Sequence, residues 1–171
     1  MELNLSSNQD KKSVFEIVQR YLHKHNFNII NSDETRPWGG FYVIDEQQSK
    51  KFIDFFFSDI EDSKKQNTGK ISPKILIVER GKRLSWQYHH RRSELWKVIG
   101  GEVGVVKSEN DDENDIETKK INEVITLYQG ERHRLIGLEN WGIIAEIWQH
   151  TDNNNPSDEN DIVRIEDDFG R

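Results

Sequence analysis

Residues 81–101 read GKRLSWQYHHRRSELWKVIGG, and the fold and the chemistry both turn on how this stretch runs. On an extended strand Gln87 and His89 differ by two and share one face, while Tyr88 and His90 share the other. A tight turn through Arg91 to Ser93 then sends the chain back with Glu94 opposite them. An amide oxygen, an imidazole and a carboxylate converge in that arrangement. A second imidazole would complete a divalent-metal site with open positions, and His133, in GERHRLIG, is the natural candidate. The same spacing also suits an ordinary polar surface hairpin, so spacing alone leaves both readings open.

From Lys74 onward the sequence is a series of short apolar runs broken by glycine, asparagine and acidic clusters: 75–78, 84–87, 95–99, 103–106, 124–127, 133–136 and 143–148. Such runs predict an antiparallel sandwich or barrel rather than alternating strand and helix units. The acidic run 108–120 reads as a long solvated hairpin tip and the tract 151–160 as another exposed connection. Upstream, Asn8 and Asp10 are capping candidates for an amphipathic helix whose stripe is Val14, Ile17, Val18, Tyr21 and Leu22. That stripe packs on its own domain or on a second subunit. Residues 31–33 read as a turn, 41–44 as a strand, 49–60 as helix or strand, and 61–69 as a loop.

The 171 residues suffice for one domain, and 5 Trp, 4 Tyr and 8 Phe supply aromatic core material to an otherwise polar chain. Lysine and arginine number 24 against 31 acidic residues, a net charge of −7 that disfavours nucleic acid and anionic membrane surfaces as partners. With no cysteine there is no disulfide or thiolate site, so a metal must be held by His, Asp, Glu or amide side chains. No signal-like start or membrane-spanning run is evident, and a cytoplasmic location is expected.

Gly81 lies six residues before Gln87, Gly101 seven after Glu94, and Gly130 three before His133. These spacings resemble the two motifs of the cupin superfamily, with Gln87 standing where the first histidine of motif one usually lies. The set Arg36-Pro37-Trp38-Gly39, then residues 85–96, then His133-Arg134-Leu135, then 161–171 resembles the type II mannose-6-phosphate isomerase domain, a cupin often fused behind a mannose-1-phosphate guanylyltransferase. The resemblance covers residues 36–45 and about 72–171. It implies an all-β fold, the cupin double-stranded β-helix or antiparallel jelly-roll barrel, to which the N-terminal α-helix read from the residues is added, outside the resemblance. The domain reading is a helix and linker over 1–35 and a cupin domain over 36–171 with an insertion at about 46–71. It also implies a Zn-type divalent metal as cofactor and interconversion of an aldose phosphate with its ketose phosphate. Carried over by position, the metal ligands are Gln87, His89, Glu94 and His133, and the family's arginine falls on Arg92. Arg91, Leu95 and Tyr128 depart from the family pattern. The sequence offers neither a glycine-rich nucleotide loop nor the length for a guanylyltransferase part.

A sugar phosphate needs a cationic anchor, and the planar fork of arginine suits it. Arg92 and Arg164 are the first candidates, with Lys97 and Arg132 behind them. Glu146 reads either as a general base or as the partner of a buried arginine. Arg171 either reaches substrate or ends the chain. Two alternatives to the isomerase stay open, a cupin that binds a sugar, sugar phosphate or sugar nucleotide without turnover, and a metal-dependent cupin oxygenase, against which Gln87 argues. A homodimer through exposed sheet edges and terminal segments is the expected assembly.

Overall fold

The computed structural model describes residue 3, residues 5–60 and residues 69–170. The loop expected over 61–69 lies, apart from Gly69, outside the described residues, as does Arg171. Among the described residues eleven strands form two antiparallel sheets. They are β1 (Ile29–Asp33), β2 (Gly39–Ile44), β3 (Ile71–Val78), β4 (Trp86–His89), β5 (Arg92–Gly100), β6 (Val103–Ser108), β7 (Glu117–Lys119), β8 (Val124–Leu127), β9 (Arg132–Gly137), β10 (Gly142–His150) and β11 (Ile162–Glu166). One sheet runs β1-β2-β3-β10-β5-β8 and the other β11-β4-β9-β6-β7. This is the expected all-β jelly-roll architecture. Among the described residues no helix is long and apolar enough to cross a membrane.

The central strands β3 and β10 of the six-stranded sheet are buried on both faces, and residue parity decides what each face sees. On β3 and β10, Ile75, Ile77, Ile143, Ala145 and Ile147 join a cluster with Val14, Phe15, Val18 and Leu22 of helix α1 (Lys11–Lys24) and Phe52 and Phe56 of helix α2 (Ser49–Phe56). The alternate residues Leu76, Val78 and Ile144 turn inward to Trp96, Val98, Val105 and Leu135, between the two sheets. Each fully buried aliphatic or aromatic side chain contributes about 1.5–3 kcal/mol, so the four of α1 hold that helix firmly. Its stripe is thus spent on its own domain. Asp10 is the cap, accepting from the Ser13 backbone N–H at 2.9 Å.

One local expectation is corrected and one ambiguity is resolved. Residues 31–33, read as a turn, form part of β1, paired in register with β2 as an edge strand; there the polar side chains Asn31 and Ser32 stay exposed while their backbone groups pair. The ambiguous segment 49–60 opens as α2, because Phe52 and Phe56, four apart, are buried together with Phe27. Gly101, at φ +67°, closes the β5–β6 turn so tightly that a Cβ there would lie 2.1 Å from the Trp141 carbonyl oxygen. Only glycine tolerates both constraints.

Candidate active site

Strand β4 presents Gln87 and His89 as alternation requires, and its neighbour β9 sets His133 opposite Gln87 in register. The turn into β5 is held by Asp161, whose carboxylate accepts the backbone N–H groups of His90 at 3.1 Å and Arg91 at 3.0 Å. Strand pairing therefore resumes at Arg92, inside the segment expected as turn. Arg92, Glu94, Trp96 and Val98 share parity on β5. The first three line the cavity between the sheets, and Val98 lies in the inward core. His90 packs edge-on against Tyr88, with ring centroids 5.1 Å apart, on the opposite face of β4.

His89, Glu94 and His133 meet at a fully buried point, their ligand atoms all within 4.8 Å of one another. The two Nε2 atoms are 3.2 Å apart, His89 Nε2 lies 3.2 Å from Glu94 Oε1, and His133 Nε2 lies 3.7 Å from Glu94 Oε2. A tetrahedral ion with bonds of about 2.1 Å needs ligand atoms roughly 3.4 Å apart, so the trio fits a divalent metal. The tautomer fits too, since His133 Nδ1 sits 3.0 Å from the Glu131 carbonyl and, donating to it, leaves Nε2 with a lone pair facing the centre. Burial pushes the His133 imidazole down to about 4, against the attraction of Glu94, so it stays neutral, as a ligand must. Burial opposes ionisation of Glu94, but Arg92 and the two imidazoles outweigh it and hold the carboxyl well below the usual range. Gln87 lines the cavity beside this cluster, its Oε1 accepting from Ser85 Oγ at 2.6 Å.

The cavity encloses about 540 Å³ of empty space when the open solvent at its mouth is counted. The imidazoles are not on its lining; Glu94 and Arg92, which touch them, are. Arg92 is clamped by Nε to Glu94 at 2.7 Å and Nη1 to Ser157 Oγ at 2.7 Å, with its guanidinium 3.6 Å from the Trp148 ring centroid; its Nη2 also lies 3.0 Å from His89 Nε2, whose lone pair a bound ion would take instead. Glu146, buried on β10, accepts the Trp96 indole N–H at 2.9 Å, and the same N–H reaches Glu94 Oε2 at 3.0 Å. Burial, reinforced by the charge of Glu94 and opposed by Lys74 and Arg92, pushes the Glu146 carboxyl up to about 8.

Arg164 lines the cavity, as does Arg36 of the Arg-Pro-Trp-Gly segment. Lys97 and Arg132 are not brought there. Lys97 has the opposite parity to Glu94 and Trp96 and points to the helix side of its sheet, paired with Asp59 at 2.7 Å. Arg132, one residue from His133, pairs with Asp111 at 2.7 Å and lies over the Tyr88 ring on the outer face. Sequence reasoning missed Lys74 and Glu159, which line the cavity, and Ser157, which helps clamp Arg92. Lys74 sits in register with Glu146 across β3 and β10, a long-range pairing that the sequence does not display.

Comparisons with known proteins bear on the family and the fold. The family model described as mannose-6-phosphate isomerase C-terminal matches residues 59–167. The mannose-1-phosphate guanylyltransferase ManC of Salmonella typhimurium is 27% identical over 95% of this chain, which spans 28% of that relative's length. Among solved structures, a variant of Bacillus subtilis oxalate decarboxylase superposes with a TM-score of 0.55 at 11% identity, covering 79% of this chain and 30% of that one. KdgF from Halomonas sp. gives 0.52 at 10% identity, covering 76% and 91%. These likenesses concern fold alone. Built on the cupin fold, the chain belongs to the mannose-6-phosphate isomerase C-terminal family.

Proposed function

We propose that this protein is a metal-dependent sugar-phosphate aldose–ketose isomerase that interconverts mannose 6-phosphate and fructose 6-phosphate through an enediol. The observation that carries the reading is the lining of one cavity. Glu94 of the metal-type cluster, the proton-holding carboxyl of Glu146 and the cations Arg36, Lys74, Arg92 and Arg164 all face it. Four cations stand against three carboxyls there, Glu94, Glu146 and Glu159, and Glu146 is mostly neutral at pH 7. The lining is therefore net positive in a chain of net charge −7, which suits an anionic substrate.

Aldose–ketose isomerisation removes a proton beside a carbonyl and returns one to the neighbouring carbon while charge develops on oxygen. Gln87, His89, Glu94 and His133 would hold the divalent ion, zinc in this reading, and that ion would supply Lewis acidity to the sugar oxygens. Glu146, poised near neutrality in a buried site, is the group to move the proton. Arg92 and Arg164 bring guanidinium charge to the phosphate, and the clamp on Arg92 fixes its orientation before substrate arrives. The test is conversion of a panel of aldose and ketose phosphates by metal-replete protein. Turnover of mannose 6-phosphate and fructose 6-phosphate is expected. No conversion of either would reject the enzymatic reading in favour of a binding module.

A further inference from the structure

We propose that Lys74 is a further binding residue for the substrate's phosphate, and that Glu159 is its built-in competitor, holding the ammonium until the phosphate displaces it. The inference rests on the reading of the cavity as a sugar-phosphate site.

Lys74 stands mid-strand in β3 with the parity of Leu76, so its side chain enters the cavity and is only 9% exposed. Its ammonium lies 3.4 Å from the Trp148 ring centroid and 5.3 Å from that of Phe41. Aromatic faces attract a cation but cannot neutralise it. The ion-pair partner is Glu159, whose Oε1 accepts from Nζ at 3.1 Å.

The two partners differ sharply in freedom. Glu159 is 55% exposed and belongs to a one-turn 3₁₀ segment, Glu159–Asp161, between β10 and β11. That segment is pinned beside the site, because Asp161 holds the β4–β5 turn and accepts from Ser157 Oγ at 2.6 Å. A half-exposed carboxylate can rotate into water with little loss, whereas the buried ammonium has nowhere else to go. A phosphate dianion entering the cavity carries more charge than the carboxylate it replaces. Glu159 then disfavours weakly charged ligands while Lys74 is kept desolvated and oriented for a strong anion.

The experiment measures affinity of the metal-replete full chain for inorganic phosphate by calorimetry, with the KM of mannose 6-phosphate as a second readout. Glu159→Gln should tighten phosphate binding about three- to tenfold, and Lys74→Met should weaken it about tenfold or more. In the double variant the gain from Glu159→Gln should shrink, since no ammonium is left to release and only the weaker influence of Glu159 on Arg92 and Arg36 remains. Lys74→Arg should restore most of the binding. Asp158→Asn removes a neighbouring charge that pairs with Arg91 instead, and should leave phosphate affinity near the parent value. Unchanged or weaker binding in Glu159→Gln, or the same gain in the Lys74→Met background, would overturn the proposal. Should Lys74→Met fail to fold, the contrast between Glu159→Gln and Asp158→Asn decides, and equal gains refute it. Because phosphate binding is read without turnover, a protein that binds phosphate as described yet converts no sugar phosphate would refute only the isomerase reading.

Discussion

Replacing Glu146 by glutamine should stabilise the metal-free protein and depress turnover of the metal-replete one, and the stability gain should depend on pH in a defined way. The carboxyl is buried and its proton is held up to about 8, against an ordinary value of 4.5. Below pH 4.5 it is protonated in folded and unfolded chains alike and contributes no penalty. Between pH 4.5 and 8 the unfolded chain has lost the proton and the folded chain keeps it, so folding takes up a proton and becomes harder as pH rises. Above 8 the penalty is complete. At about 1.4 kcal/mol per pH unit, and with the same Trp96 N–H satisfied by the glutamine oxygen, the gain should be near zero at pH 4.5 and a few kcal/mol at pH 8. Urea denaturation of both proteins across this range measures it. The turnover number of the glutamine variant should fall about a hundredfold or more, since the amide cannot shuttle a proton. A variant no more stable than the parent at pH 8, or one with an unchanged pH slope, would refute the assignment of a buried, proton-holding carboxyl.

His89→Ala and His133→Ala should each lose the bound metal by elemental analysis, because each supplies a nitrogen to a three-residue cluster. Lys97→Ala should leave turnover and KM unchanged and lower stability by at most about 1 kcal/mol, its Asp59 partner being largely exposed. His150 accepts the Ser157 N–H at Nδ1, an arrangement matched to the neutral ring, and burial, with Lys70 and Arg92, lowers its pKa from 6.5 to about 4. Its contribution should be whole above pH 6.5 and lost as pH falls toward 4, and His150→Gln should flatten the stability profile in that window.

Much of the site was legible because strand parity is rigid. Gln87 and His89 differ by two, Glu94 follows a turn, and a glycine precedes the strand that carries His133. The same parity, applied to Lys97 against Glu94 and to Arg132 against His133, would have removed both from the cavity, since odd separations on one strand put side chains on opposite faces. Lys74 was hidden for a different reason. A lysine beside Ile75-Leu76-Ile77-Val78 reads as the polar edge of an apolar run, and only the pairing of β3 with β10 sets it beside Glu146. The stretch 151–160 has the composition of a solvated loop and is one along most of its length, yet Ser157 is buried and Glu159 meets Lys74. Long-range contacts of that kind leave no periodic trace.

Turnover measured against bound metal tests the central claim most directly. Protein stripped with a chelator and titrated with zinc should regain interconversion of mannose 6-phosphate and fructose 6-phosphate in proportion to metal bound, with a break at one ion per chain. Full activity in the stripped protein, or stoichiometric zinc binding with no conversion of either sugar phosphate, would contradict the account.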